Sequence, residues 1–343
     1  MSRYYDKTVP DDPARLPLRA LRRTHRYGVN TARSGRLEFL DACRGLAVLG
    51  MLLANMMNVF LHRVPNVLSH DRQDELRFFD FPAPVFQFLI GVSLVLFLER
   101  RRQPPGAVDA RVLAVRRFVL LMALGVVLDG IGALASRPRW GVLQTLGLGG
   151  VFATAIADTG DGLVALLAVV ILAVFSRGAH AAVHHSPIAA VAFVPLTLGG
   201  LLVGRGLATD RPNHAFVRRS LAVGAVGLLT ATVACAAGVP FNKVLGTSSF
   251  IGIATTVSAT LLLATAAMGT AGLRYPSWLL AVGSNALTAW VLQYVLVYYP
   301  AWLVFPSWRR LPFAPGMAVA VAVLAMLSAL TVALGRRGIR IPI

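Results

Sequence analysis

"LDACRGLAVLGMLLAN", residues 40 to 55, is the stretch on which the fold turns. It lies in an apolar run covering roughly 38–61 and carries an aspartate and an arginine, Asp41 and Arg44, near its start. A bilayer crossing takes about 20 predominantly apolar residues, and without water in the hydrocarbon the backbone must bond to itself. A helix meets both conditions. Nine further apolar runs lie at about 81–98, 115–134, 140–157, 162–176, 186–204, 217–238, 247–269, 277–299 and 314–335. The chain therefore reads as all-α, a polytopic membrane helical bundle of about ten transmembrane helices. The fourth and fifth runs carry the weakest signal, parted only by "DTGDG" (158–162), which suits a tight turn.

Of the 343 residues, 56% are hydrophobic and 14% charged, and the formal net charge is +18. In a soluble protein that charge would point to nucleic acid; in a membrane protein its distribution reports orientation. With both termini cytoplasmic, 23 Lys and Arg fall on the inner side and 9 on the outer, Arg44 lying within the first run. Nucleic acid is accordingly not expected as a partner, and the lipid bilayer is. Residues 1–36 form a basic, proline-containing cytoplasmic arm before a transmembrane domain over 37–343. No cleavable leader is evident, so the first helix is expected to stay as an anchor of a multi-pass cell-membrane protein. Spacings such as "GLGG" (147–150) and "GGLLVG" (199–204) suit close helix packing.

Charge inside a span costs a few kcal/mol on insertion scales, which makes it a functional candidate. Asp41 and Arg44, three apart, share a helical face and can pair, or simply mark the helix end. Cys43 and Cys235 both lie in apolar runs and read as small buried hydrophobes, with no disulfide. His180, His184 and His185 in "HAAVHH" have one i,i+4 spacing, but no Glu or Cys accompanies them and no metal site is read.

"LDACRGLAVLGMLLAN" resembles the first transmembrane helix of the heparan-alpha-glucosaminide N-acetyltransferase family, within the transmembrane acyltransferases, through Asp41, Arg44, Gly45 and Asn55. Three stretches agree in order. "HDRQDELRFFDFPAPVFQFLIGVS" (70–93) is similar to the family's second block through His70, Asp80, Pro84, Phe86, Phe88 and Gly91. "VLQTLG" (142–147) resembles its Leu-Gln-Arg-Leu/Ile-Gly, and "PFNKVLGTSSF" (240–250) its Pro-x-Asn-Lys-x-Leu-Trp-Ser/Thr loop. "VGSNALTAWVLQY", with Asn285, is a fainter echo. The chain departs from the pattern in a longer Asn55–His70 interval, in "RQDELR" after the histidine, in Thr145 for arginine and in Gly246 for tryptophan.

The resemblance implies transfer of an acetyl or short acyl group from cytosolic acyl-CoA to the amine or hydroxyl of an extracytoplasmic sugar or glycan. It implies acyl-CoA as co-substrate and no metal. His70 then serves as base or transient nucleophile, oriented by Asp80, since imidazole titrates near neutrality. Asn55 is a candidate donor to the oxyanion that forms on the thioester carbonyl. Asp41, Arg44, Arg116 and Arg117 are candidates for the donor site, since guanidinium binds phosphate in bidentate fashion. Asn242, Lys243 and Asn285 are candidates for the acceptor, and homodimerisation stays open. The alternative from another class is a transporter or flippase, against which stands the lack of an internal repeat between the two halves.

Overall fold

The computed structural model describes residues 37–70, 74–101, 109–132, 140–178, 186–207, 212–303 and 311–341. The arm 1–36 and the cluster His180, His184 and His185 lie outside them. Among the described residues regular structure is helical, apart from one backbone bridge between Leu61 and Leu311. The helices are α1 (Glu38–Phe60), α2 (Pro82–Arg100), α3 (Ala110–Gly132), α4 (Val142–Ala155), α5 (Asp161–Val174), α6 (Pro187–Val191) and α7 (Val194–Gly204). They continue as α8 (His214–Ala236), α9 (Ser248–Thr270), α10 (Ser277–Ser284), α11 (Ala286–Gln293), α12 (Tyr299–Leu303) and α13 (Phe313–Arg336). Local chemistry sets several starts. Pro82 opens α2 at a position where its missing N–H costs nothing, and the Asn213 side chain caps α8 by accepting from the Phe216 N–H at 2.8 Å.

Each of the ten apolar runs contains a helix, and among the described residues six segments are long and apolar enough to cross a membrane. They are Glu38–Phe60, Phe78–Arg100, Pro187–Gly204, His214–Ala236, Ser248–Thr270 and Phe313–Arg336. A seventh follows if α10 and the segment from Ala286 to Ala301, bent by 77° at Asn285, count as one broken span. Of the ten runs expected to cross, three fall short of this test on helix length or charge. At 14 residues each, α4 and α5 are about 21 Å long, short of a hydrocarbon core of about 30 Å. The longer α3 carries Arg116, Arg117 and Asp129 along it.

The helices touch through glycine, as the small-residue spacings suggest. A Cβ on Gly91 of α2 would stand 2.6 Å from the Leu201 nitrogen of α7, and one on Gly204 would stand 2.9 Å from the Val92 carbonyl. Gly147 of α4 approaches the Phe118 carbonyl of α3 in the same way, at 2.7 Å. Gly45 brings α1 within 2.6 Å of the Leu279 carbonyl of α10. With no water to expel between apolar helices in lipid, such backbone approach is a main source of packing energy. Outward faces of α3, α5 and α8 expose Val126, Val127, Leu166, Val170, Leu228 and Leu229, as contact with lipid chains requires.

Candidate functional site

Polar side chains gather at the two ends of this bundle. At one end α1 finishes, a 3-10 turn over Asn66–Leu68 follows, and His70 comes next, half-buried. Ser69, buried, closes that turn by donating its hydroxyl to the Asn66 carbonyl at 2.8 Å. The Asn58 amide nitrogen lies 3.3 Å from both ring nitrogens of His70, so it can donate to whichever is unprotonated. Asn58 was not singled out in the sequence. The signal available was its i,i+3 spacing from Asn55, which puts both amides on one face of α1.

Asp80 is fully buried. Its carboxylate accepts from the Arg77 N–H at 3.0 Å and faces the Lys243 ammonium at 3.6 Å. The structure therefore brings Asp80 to Lys243, and the amide it places on His70 is that of Asn58. Asn242 holds the loop that presents Lys243. It donates to Asp74 Oδ1 at 3.0 Å and accepts from the Leu245 N–H at 2.9 Å, while only 2% exposed. Gly246 in this loop has φ +67°, and a Cβ there would lie 2.9 Å from Ala192 and Phe193. That accounts for glycine where the family pattern has tryptophan, because a bulky residue would be strained at this φ and have no room.

One turn deeper along α1, Asn55 donates to Gln293 Oε1 at 3.0 Å. Gln293 ends α11, and a π-helical turn, Tyr294–Tyr298, follows it. Such turns are frequent at functional sites. The Tyr294 hydroxyl donates to Asp129 Oδ1 at 2.8 Å, and Gln144 Nε2 donates to Asp129 Oδ2 at 3.0 Å. Gln144 belongs to the "VLQTLG" stretch. Asp129 was missed in the sequence, although a carboxylate late in an apolar run was a signal.

At the opposite end, Asp41 and Arg44 form the expected pair, Arg44 Nη1 donating to Asp41 Oδ1 at 2.8 Å. Arg44 Nη2 also reaches Ser93 Oγ at 2.5 Å. Both side chains line a cleft of about 250 Å³ between α1, α2, α3 and α11, whose apolar wall includes Phe86, Phe97 and Leu287. Arg117 lines it as well and sits 4.6 Å from the Phe97 ring centroid, with Arg101 at 5.1 Å from the same ring. Arg116 is exposed and outside this lining. Beside it lies a polar cleft of about 500 Å³ lined by Arg101, Arg111, Asp158, Asp161 and Arg205. There Asp161 takes Arg205 at 2.5 Å and Arg219 at 2.6 Å. Asn285 marks the break between α10 and α11 and spends its amide N–H on the Ala281 carbonyl at 2.9 Å.

The long apolar helices define the class, a multi-pass membrane protein, here with a histidine–amide pair at one end and an arginine-lined cleft at the other. Residues 36–199, a little under half of the chain, match the family described as heparan-alpha-glucosaminide N-acetyltransferase, catalytic. The match points to a transmembrane acetyltransferase. No curated protein matches the chain. Within the matched region fall Asp41, Arg44, Asn55, His70, Asp80, Arg116, Arg117, Asp129 and Gln144, whereas Asn242, Lys243, Asn285, Gln293 and Tyr294 lie beyond it.

Proposed function

We propose that the protein moves an acetyl or short acyl group from cytosolic acyl-CoA to an amine or hydroxyl of an extracytoplasmic sugar or glycan at the cell membrane. The observation that carries this is the placement of Arg44 and of the Asn58–His70 pair at opposite ends of one helix, α1. Eleven residues separate Arg44 from Asn55 and fourteen separate it from Asn58, about 16 and 21 Å along the axis. The chain between the phosphates and the thioester carbon of CoA is about fourteen bonds, roughly 16 Å when extended at polypeptide-like spacing. A donor held by its phosphates near Arg44 therefore presents its carbonyl at the depth of Asn55, one helical turn short of Asn58.

On this reading Arg44 and Arg117 hold the donor in the 250 Å³ cleft, and Asp41 orients Arg44. Arg116 contributes positive field at the mouth. His70 takes the proton from the acceptor as it attacks the thioester carbonyl, the carbon–sulfur bond breaks and the proton passes to the departing CoA thiolate. Alternatively a His70 ring nitrogen displaces that thiolate and carries the acyl group until the acceptor displaces the imidazole. Asn58 fixes the ring, and Asn55 donates to the oxyanion with its second amide hydrogen. Asp80 and Lys243 shape the acceptor's entrance, with Asn242 holding the loop that presents Lys243. Asn285 sets the bend that closes the donor end. No step calls on a metal. The positive-inside count supports cytoplasmic termini, with the ten helical runs as alternating crossings of which α4 and α5 are short. The basic arm 1–36 precedes the catalytic domain 37–343.

A transporter reading draws on the 77° break at Asn285, since broken helices mark many transport sites. Acyl-CoA binding and turnover by the purified protein, wild type beside Arg44→Ala and His70→Ala, separate the two. Saturable binding weakened by Arg44→Ala, with turnover lost and binding kept in His70→Ala, is the expected result. No binding of any acyl-CoA would overturn the transferase reading in favour of transport. Unchanged turnover in His70→Ala would remove that residue from the chemistry.

A further inference from the structure

Three acidic side chains of the bundle sit against a cation. Asp41 is paired with Arg44, Asp80 with Lys243, and Asp161 with Arg205 and Arg219. Asp129 has only neutral partners among the described residues, the Tyr294 hydroxyl and the Gln144 amide, one on each carboxylate oxygen. It is half-buried near the end of α3, beside the Leu128 carbonyl that accepts from the Tyr299 hydroxyl at 2.8 Å. A carboxylate offers about four lone-pair sites, so two remain for a further donor. An ionised side chain placed at such depth is costly and is retained where it meets a charge of the opposite sign.

A second observation points to the same place. Gln293, next in sequence to Tyr294, is 0% exposed, and its amide nitrogen has no hydrogen-bond partner among the described residues. A buried donor left unpaired calls for an explanation, and a bound ligand supplies one. Gln293 is also bonded to Asn55, one turn of α1 from the Asn58 that holds His70. The carboxylate with only neutral partners among the described residues, and the amide with none among them, are thus linked through consecutive residues to the histidine end.

We propose that Asp129, held by Tyr294 and Gln144, is a specificity-determining residue that receives the acceptor as an ammonium ion, with Gln293 donating to a neighbouring hydroxyl of the same molecule. This rests on the acyltransferase reading for the nature of the acceptor and assigns it a site on this chain. The neutral partners matter to the selection. They fix the carboxylate without quenching its charge, so a cationic group gains more there than an uncharged one.

The test is equilibrium binding of glucosamine and of N-acetylglucosamine, its uncharged counterpart, to the purified full chain in detergent, for wild type, Asp129→Asn and Tyr294→Phe. Wild type should prefer glucosamine, and Asp129→Asn should weaken glucosamine about ten- to a hundredfold, as expected for a hydrogen bond to a charged group, while leaving N-acetylglucosamine unchanged. Tyr294→Phe removes a neutral donor but not the charge and should keep the preference for the amine. It also guards against a fold defect, because a purely structural Asp129 would make both variants lose stability with the preference unaltered, which would overturn the proposal. Equal glucosamine affinity in wild type and Asp129→Asn, or no glucosamine binding by wild type, would overturn it too. Glucosamine binding that depends on Asp129 without any consumption of acyl-CoA would sink the transferase reading and leave this site standing; acyl transfer indifferent to Asp129 would do the reverse.

Discussion

Replacing Gly283 with alanine tests whether the donor end depends on backbone contact between α1 and α10. The added Cβ would overlap the Asp41 carbonyl oxygen and stand 2.7 Å from the Gly45 nitrogen and 2.8 Å from the Asp41 carbonyl carbon, where ordinary contact begins at 3.4 Å. The nitrogen alone requires α10 to retreat by about 0.7 Å, from 2.7 to 3.4 Å, and the oxygen requires more. These are backbone atoms of a neighbouring helix and cannot rotate aside. Alanine gains up to about 1 kcal/mol of helix propensity over glycine. Overpacking of this kind costs about 1–3 kcal/mol, so the clash wins or at best breaks even. The retreat also disturbs the turn that carries Asp41 and Arg44, so acyl-CoA affinity should fall together with thermal stability. Gly224→Ala is the matched control. It lies mid-helix in α8, and its Cβ would make ordinary contact with Ala259 at 3.5 Å, leaving only the propensity gain. Thermal unfolding in detergent and acyl-CoA titration should show Gly283→Ala lowered in both and Gly224→Ala unchanged or raised in Tm. Equal Tm and equal donor affinity in Gly283→Ala and wild type would refute the reasoning.

Lys243→Met removes the ammonium that faces the fully buried Asp80 at 3.6 Å and should destabilise the protein by about 3 kcal/mol, the low end for a broken buried pair because the Arg77 N–H still serves the carboxylate. Adding Asp80→Asn should recover part of that loss; strictly additive effects in the double variant would show that the pair is not coupled. Asn58→Ala should lower kcat about ten- to a hundredfold with acyl-CoA affinity unchanged, because it frees the His70 ring without touching the donor cleft. A kcat equal to wild type would show that His70 needs no such partner.

Most of the helical fold was legible because lipid imposes it residue by residue. Each apolar run became a helix, since a backbone without water has to bond within its own segment. Helix length was less legible. The fourth and fifth runs extend two residues beyond α4 and α5 at most ends, and hydropathy does not mark where a 14-residue helix stops. In the candidate site, what was readable was local. Asp41 and Arg44 are three apart on one helix, and their pairing follows from helical geometry alone. Asp80 was expected to orient His70 from the resemblance to the family's second block, and the structure shows it facing Lys243, on a loop 163 positions away. No periodicity encodes that distance.

Asp129 shows the same limit from the other direction. Its partners are 15 and 165 positions away, and one of them belongs to a π-helical turn whose extra residue shifts the face that Tyr294 presents. The region matched to the family ends at residue 199, while Gln293, Tyr294 and Lys243 all come from beyond it. Each contacts a polar residue inside the matched region, namely Asn55, Asp129 and Asp80. The chemistry proposed for the matched region therefore depends on side chains supplied by the rest of the chain. A change of acceptor among related proteins can then arise in those later segments, at Gln293, Tyr294 and the Lys243 loop, with Arg44 and His70 left in place.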